Sequence, residues 1–171
     1  MSTGLQVLVS VGTDHHLFDR LMGWVEEWVA RAPEGTSVVV QHGSSRAPAG
    51  VDARVLVTQA ELRELMAAAH VVVLQGGPGG IIDSLVSGRR PIAVPRLAAL
   101  DEVVDDHQVA FCRHLARIGQ IEIAEDAAAL HAALDRSLAD HDRLIIDPYV
   151  PRSAETAARV GSLVDDLLRS R

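Results

Sequence analysis

The sequence predicts an α/β fold built on a doubly wound parallel sheet of about six strands, and three observations indicate it. Short apolar runs alternate with longer segments whose apolar residues recur at helical spacing. The composition is 48% hydrophobic but only 3% aromatic, which is typical of aliphatic helices packed on a parallel sheet. The stretch 70–94 reads as strand, glycine loop, helix and strand, which is one βαβ unit with a right-handed crossover.

The first half of the chain supplies three strands and two helices. The apolar run 5–11 predicts a strand, and the turn Gly12-Thr13-Asp14 follows it. Apolar residues at helical spacing then predict a helix at 15–31, which Thr13 or Asp14 is expected to cap. Strands are predicted at 37–41 and 54–57, and residues that favour helices predict the second helix at 59–69.

The second half supplies the remaining elements. Buried strands are predicted at 71–74, at 92–94 between two prolines, and at 121–124. Helices are predicted where apolar positions lie three or four residues apart, at 81–88, 103–118, 127–138 and 153–168. Gly119 is expected to end the helix at 103–118. Residues 1–171 contain no internal repeat and are expected to form a single domain with a C-terminal helix.

Composition excludes several classes of protein. A formal charge of −7 argues against a wide basic face for nucleic acid. The single Cys112 excludes an internal disulfide and fits a cytoplasmic location. No run approaches the roughly 20 apolar residues of a membrane span, and the N-terminus lacks the basic region of a signal peptide.

The glycine-rich loop 76–80 is the strongest candidate site. Gly76, Gly77, Gly79 and Gly80 allow a ligand to approach the backbone closely, and free N–H groups at the start of the following helix attract anions. The spacing matches neither the dinucleotide fingerprint G-x-G-x-x-G nor a Walker loop. The alternative is a tight turn without a ligand. Asp83, one helical turn later, suits a ribose diol, or is a solvated helix residue.

Other candidates lie at the carboxyl ends of neighbouring strands, where ligands of doubly wound sheets bind. Gly12 and Thr13 suit a diphosphate, and His15 or His16 is a candidate base or phosphate donor. Arg96 follows a strand and is a candidate phosphate contact. Each of these side chains is alternatively an ordinary surface residue. No G-x-S-x-G motif is present, and no nucleophile for covalent catalysis is visible.

The segment Asp105-Asp106-His107-Gln108 opens a predicted helix. Adjacent acidic residues and a histidine suggest a metal, but consecutive helical residues point to different faces, so no metal and no cofactor are expected. Asp106, His107 and Gln108 instead suit sugar hydroxyls, because they offer both donors and acceptors. Asp105 is alternatively a helix cap.

Three ordered motifs resemble the donor-binding C-terminal domain of family 28 glycosyltransferases, which have the two-domain GT-B fold with Rossmann-like halves. They are G76-G77-P78-G79-G80-I-I-D83, S87-G88-R-R-P91-I-A-V-P95 and D105-D106-H107-Q108, and the opening V9-S-V-G12-T13 is similar too. The resemblance covers residues 5 to about 124. It is strongest to stand-alone subunits, such as the catalytic half of the two-subunit UDP-GlcNAc transferase and bacterial exopolysaccharide transferase subunits.

The resemblance implies that the chain binds a UDP-sugar. Gly12, Thr13, Gly79 and Gly80 would line the diphosphate, and Asp83 stands where the family has a ribose-binding glutamate. Gln108, with Asp106 and His107, would contact the sugar hydroxyls. Gln75 stands where relatives often carry His or Arg, and Gly80 where many carry Ser or Thr. The full set of expected ligand contacts is Gly12, Thr13, Gln75, Gly76, Gly77, Gly79, Gly80, Asp83, Arg96, Asp106, His107 and Gln108.

The resemblance also implies a partner, because the family's acceptor site lies on the other domain. We expect a second, membrane-associated polypeptide that binds a lipid-linked acceptor, as in polysaccharide or glycolipid synthesis. The helix at 153–168 would dock on that partner or on its own sheet. The main alternative is an inactive nucleotide-sugar-binding or regulatory subunit of such a complex. An epimerase would need a second domain, and a redox enzyme would need the missing dinucleotide fingerprint.

Overall fold

The computed structural model describes residues 4–151 and confirms the predicted α/β fold. Six parallel strands form one sheet. Their bounds are β1 Val7–Ser10, β2 Val38–Gln41, β3 Asp52–Arg54, β4 Val71–Gln75, β5 Ile92–Val94 and β6 Glu122–Ile123. The α-helices are α1 Asp19–Val29, α2 Gln59–Ala68, α3 Pro78–Val86, α4 His107–Arg117 and α5 Ala127–Ala139. A 3-10 helix spans Ala98–Leu100.

The helices cover both faces of the sheet, because alternate strand residues point to opposite sides. On one face, Val7 and Val9 pack with buried residues of α1 and α5, including Trp28 and Leu134. On the other face, Leu8 packs with buried residues of α2, α3 and α4. Within residues 4–151, every helix is too short or too polar to cross a lipid bilayer.

The strand order β3-β2-β1-β4-β5-β6 positions the site. The chain winds outward from β1 through β2 to β3, then returns to place β4 on the other side of β1. Val7 pairs with Val71, and Ser10 pairs with Leu74. The strand order therefore reverses between β1 and β4, and a crevice opens beyond their carboxyl ends.

Two helices begin later than their apolar spacing predicts. α1 begins at Asp19, and its N-cap is Phe18 with no side-chain cap, so the expectation that Thr13 or Asp14 caps it is wrong. Asp14 instead accepts a hydrogen bond from the N–H of His16, and this local turn competes with a helix. Asp105 bonds the N–H of His107 in the same way, ahead of α4. Residues 12–18 are consequently a loop above the end of β1.

The other boundaries shift by a few residues. β3 lies at Asp52–Arg54 rather than at 54–57, which leaves Val55 and Leu56 exposed beyond its carboxyl end. α3 begins at Pro78 rather than at 81, because proline suits the first helical position. The predicted helix at 153–168 lies outside the described residues.

Candidate functional site

A cavity of about 390 Å³ opens at the carboxyl ends of β1 and β4. It lies at the point where the strand order reverses, as the doubly wound topology predicts. Its lining combines the two glycine-containing loops with residues of α2 and α3. The lining residues are Ser10, Gly12, Thr13, Gln41, Val57, Gln59, Leu62, Leu74, Gln75, Gly77, Gly79, Gly80 and Asp83.

One wall is the N-terminus of α3. Gly77 is the N-cap and has no side chain to satisfy the first amides, and Pro78 has no N–H. Because the helix starts at Pro78, the N–H groups of Gly79 and Gly80 have no acceptor within the helix. A Cβ added at Gly79 would meet no atom within 4 Å, so this backbone is open to a ligand. This wall offers free donors and the positive end of a helix dipole to an anion.

The Gly12 turn forms the facing wall and depends on a buried polar pair. Ser10 Oγ donates to Gln41 Oε1 at 2.8 Å, and Gln41 Nε2 donates to Gly12 O at 3.4 Å. Gly12 has φ +75°, and a Cβ there would overlap Nε2 of Gln75. Glycine is therefore required at this turn. Sequence reasoning missed Ser10 and Gln41, although a polar residue ending an apolar strand is a usable signal.

Asp83 lies at the edge of the cavity with its carboxylate already oriented. Arg63 donates to Oδ1 through Nε at 3.0 Å and Nη2 at 2.7 Å, while Gln59 Nε2 lies 3.5 Å from Oδ2. The Asp83 side chain is 16% exposed, so Oδ2 remains accessible beside the Gln59 amide. This pair of groups can both accept from and donate to a diol. Gln59 and Arg63 were not foreseen.

The remaining lining is apolar. Val57, Leu62 and Leu74 come from the loop before α2, from α2 and from β4. An apolar wall facing a few fixed polar groups is the usual composition of a small-molecule site. A flat heterocyclic ring fits this wall better than a charged group would.

Arg96 does not reach the cavity, which corrects its assignment as a phosphate contact. The residue is 0% exposed. Its guanidinium donates to Gln75 Oε1 and to the carbonyls of Val11 at 3.1 Å and of His16 and Glu102, both at 2.9 Å. Burial lowers the pKa of Arg96, although the nearby carboxylates oppose this. Its donors are occupied by protein, so Arg96 supports the loops instead of contacting a ligand.

Gln108 is also buried and lies behind the glycine loop. Its Oε1 accepts from the N–H of Arg96 at 3.1 Å, and a Cβ on Gly76 would come within 3.0 Å of it. Gln108 does not line the cavity and its Oε1 is engaged by Arg96, so its predicted contact with sugar hydroxyls stays a prediction that would have to use Nε2. Gly76 packs against Cys112 and Gln108 and does not line the cavity.

Asp106 and His107 lie on the surface beside this segment. Asp106 Oδ1 accepts from the N–H of Ala98 at 2.9 Å, and the ring of His107 bonds Asp105. Neither residue lines the cavity. Their predicted contacts with sugar hydroxyls stay predictions, which require the sugar to extend out of the cavity.

Both candidate bases lie on the loop that leaves β1. His16 Nδ1 lies 2.6 Å from Asp14 Oδ1, whereas the His15 side chain is 88% exposed. Burial raises the pKa of Asp14, but hydrogen bonds from the His16 amide and ring and the charge of Arg96 outweigh it, and the net pKa is lowered. The Asp14 contact uses Nδ1, and within residues 4–151 no hydrogen-bond partner engages His16 Nε2, so this nitrogen is the one that can take part in proton transfer. Atoms that could bind a metal lie within 4.8 Å of one another in Asp14, His15 and His16. Asp14 is already hydrogen-bonded to His16, however.

The fold and the cavity together define a doubly wound domain with an anion-attracting ligand site at its switch point. The chain belongs to the family described as the glycosyltransferase family 28 C-terminal domain. The sequence pattern of that family matches residues 6–159. No curated protein sequence matches it significantly.

Solved glycosyltransferases share the fold. The glycotransferase of kitacinnamycin superposes with a TM-score of 0.58 at 21% identity, covering 82% of this chain and 37% of that one. MurG of Acinetobacter baumannii gives 0.58 at 19% identity, covering 82% and 43%. The calicheamicin glycosyltransferase CalG4 gives 0.54 at 17% identity, covering 80% and 35%. The chain thus spans less than half the length of these enzymes and matches the fold of one half of a GT-B glycosyltransferase.

Proposed function

We propose that the chain is the donor-binding, catalytic part of a glycosyltransferase that moves a sugar from a UDP-sugar to an acceptor hydroxyl. One observation carries the proposal: the uncapped N-terminus of α3 opens onto a cavity at the switch point of a family 28 domain. Bare amides at this place suit the diphosphate of a nucleotide sugar.

In this proposal, three parts of the donor would bind in the cavity. The diphosphate would bind between the Gly12-Thr13 turn and the amides of Gly79 and Gly80. The ribose would bond Asp83 Oδ2 and the Gln59 amide, which offer an acceptor and a donor. The uracil ring would pack on the apolar wall of Val57, Leu62 and Leu74. The sugar would then extend out of the cavity toward the loop 12–18, which carries His15 and His16, the two candidates for the general base.

Transfer breaks the bond between the anomeric carbon and the diphosphate oxygen. Negative charge grows on the departing UDP, and the α3 amides would stabilise it in the transition state. The acceptor hydroxyl loses its proton to a base as its oxygen attacks that carbon. His16 is a better candidate than His15, because Asp14 orients its ring. A base on the partner is the alternative.

The acceptor site belongs to a second component in this proposal. The solved glycosyltransferases above are more than twice the length that this chain matches. We propose that the second component is a membrane-associated subunit that binds a lipid-linked acceptor, as in exopolysaccharide or glycolipid synthesis. The chain would then act at the inner face of the membrane through its partner.

Ligand binding tests the proposal first. A ligand that binds the native state raises its stability, so UDP is expected to raise the melting temperature more than GDP or dTDP at equal concentration. Equal shifts for all three would show that the cavity does not select uridine, and no shift with any of them would refute the proposal.

A second candidate is a regulatory subunit that binds a nucleotide sugar without transferring it. Gln75 and Gly80 favour this candidate, because both depart from the residues that the resemblance to family 28 leads us to expect at these positions. Radiolabelled UDP-sugar turnover in the presence of lipid-linked acceptor and the partner separates the two. Tight binding without turnover would favour the regulatory role.

A further inference from the structure

The loop that leaves β1 brings together three side chains with the chemistry of metal ligands. Potential ligand atoms of Asp14, His15 and His16 lie within 4.8 Å of one another. Within residues 4–151, no other three histidine, cysteine or acidic side chains form such a group. Two imidazoles and one carboxylate are a donor set that zinc sites use. These donors make the loop a candidate metal site.

The backbone conformation of this loop allows consecutive residues to share an ion. Three consecutive residues of a helix point to different faces and cannot do so. The apolar spacing predicts a helix from residue 15, but α1 begins at Asp19, and residues 12–18 form a loop. The centroids of the His15 and His16 rings lie 4.1 Å apart, and the rings are tilted by 36°. Both imidazoles can therefore face one ion.

Two of the three side chains are held in place by the protein. The Asp14 carboxylate accepts from the N–H of His16 at 2.8 Å, and its Oδ1 lies 2.6 Å from His16 Nδ1. Buried Arg96 donates to the carbonyls of Val11 at 3.1 Å and of His16 at 2.9 Å, which anchors the loop on both sides of Asp14. Only His15, whose side chain is 88% exposed, has to lose rotamer freedom when an ion binds.

The distances between these atoms suit an ion of the zinc type. Ligand atoms about 2.0–2.2 Å from a tetrahedral zinc ion lie roughly 3.3–3.6 Å from one another. His15 Nδ1 lies 3.7 Å from Asp14 Oδ1. The contact between Asp14 and His16 is shorter because a hydrogen joins the two atoms. An ion would replace that hydrogen, which leaves to solvent as a proton, and the two atoms would separate by about 1 Å.

We propose that Asp14, His15 and His16 bind one divalent transition-metal ion of the zinc type at the rim of the cavity. Gly12 and Thr13, which precede these residues, line the cavity, so the ion would lie at its edge. Imidazole nitrogens suit zinc or nickel, whereas magnesium prefers oxygen ligands. Such binding does not require the proposed function. An ion on His16 Nδ1 would nevertheless keep the ring proton on Nε2, so this ring could not also be the general base.

The competing explanation is that Asp14 only orients His16 and that no ion binds. Asp105 and His107 provide a matched comparison, because Asp105 likewise accepts from the N–H of His107 and bonds its ring. That turn contains one histidine instead of two. A site that needs two imidazoles and a carboxylate should therefore form at the first turn and not at the second.

Calorimetric titration of Zn²⁺ alone into the metal-free full chain provides the readout. We expect the wild type to bind one ion per chain at a site that His15→Ala weakens by about tenfold or more, since losing a residue that merely supports a metal ligand already has an effect of this size. His15→Ala leaves the hydrogen bond between Asp14 and His16 in place, and the exposed position of His15 predicts an unchanged melting temperature.

Two control variants locate the ion. His107→Ala removes the histidine of the second turn, and His141→Ala breaks the stacked pair of His70 and His141, where two imidazoles also lie close together. Both variants should bind Zn²⁺ as the wild type does. The proposal is overturned if the wild type binds no Zn²⁺, if Mg²⁺ binds as tightly as Zn²⁺, if His15→Ala retains full affinity, or if the loss follows either control variant instead.

Discussion

Arg63 of α2 holds one carboxylate oxygen of Asp83 in α3, donating to Oδ1 at 3.0 Å from Nε and at 2.7 Å from Nη2. This contact joins two helices that border the cavity and leaves Oδ2 beside the Gln59 amide. The carboxylate is therefore oriented before any ligand arrives. In the proposed complex, its free oxygen accepts a ribose hydroxyl.

Asp83→Ala should weaken UDP binding by about tenfold, because it removes a charged acceptor for a ribose hydroxyl. The ion pair with Arg63, whose side chain is about half exposed, contributes about 1 kcal/mol, so the variant should stay folded. Calorimetry with UDP and 2′-deoxy-UDP measures the effect. Wild type should prefer the ribonucleotide, and Asp83→Ala should lose that preference. An unchanged preference would contradict the ribose role.

Gly79→Val should abolish detectable UDP binding while the free protein melts near the wild-type temperature. A Cβ at this position meets no protein atom within 4 Å, so the new side chain would occupy only the cavity beside the amides. Gly23→Ala in α1 is the control, because it adds a methyl group away from the cavity and should stabilise the helix by about 0.5–1 kcal/mol. Retained UDP binding by Gly79→Val would show that the α3 amides do not contact the ligand.

Gln108→Ala should reduce stability and should affect UDP and UDP-sugars equally. The Arg96 N–H loses its buried acceptor, which costs about 1–3 kcal/mol. Chemical denaturation measures this loss, and Gln120→Ala, an exposed glutamine, should change the free energy of unfolding by no more than about 0.5 kcal/mol. A selective loss of UDP-sugar affinity without lower stability would instead support the predicted sugar contact of Gln108.

The free energy of unfolding should decrease as the pH falls below 6.5, because His70 resists protonation in the folded protein. Burial lowers the pKa of His70 below its ordinary value of 6.5, as do the charges of His141 and Arg89, while Asp142 opposes them. The folded pKa is depressed, so below 6.5 the unfolded chain binds more protons and stability falls; above 6.5 both states are neutral and the contribution is complete.

Two measurements check this behaviour. In an NMR titration, the His70 ring should change protonation at a pH lower than 6.5. His70→Phe, which can keep the stacking on His141, should lessen the fall in unfolding free energy between about pH 7 and about pH 5. A ring that titrates at or above its ordinary pKa would contradict the prediction.

The sequence was sufficient to predict the sheet and the position of the glycine-rich loop 76–80, because both depend on local patterns. Apolar runs of strand length and the cluster 76–80 predict the positions of β4 and of the turn that follows it. The direction of individual side chains was not predictable in the same way. Arg96 follows a strand, as a ligand contact would, yet its acceptors lie up to 85 residues away in sequence.

The same reasoning accounts for the cavity residues that were missed. Ser10 and Gln41 end apolar strands and were recognisable as polar residues at the right edge. Arg63, in contrast, becomes relevant only once α2 and α3 are known to be neighbours. Long-range packing decides which polar residues meet, and no local pattern records it.

Amide chemical-shift mapping with UDP tests the central claim most directly, because it reads the backbone donors themselves. Saturating UDP should shift the resonances of Gly12, Gly77, Gly79 and Gly80 more than those of the amino edge of the sheet. If millimolar UDP leaves these four amides unchanged, or shifts only residues elsewhere, the diphosphate does not bind at the switch point and the account is contradicted.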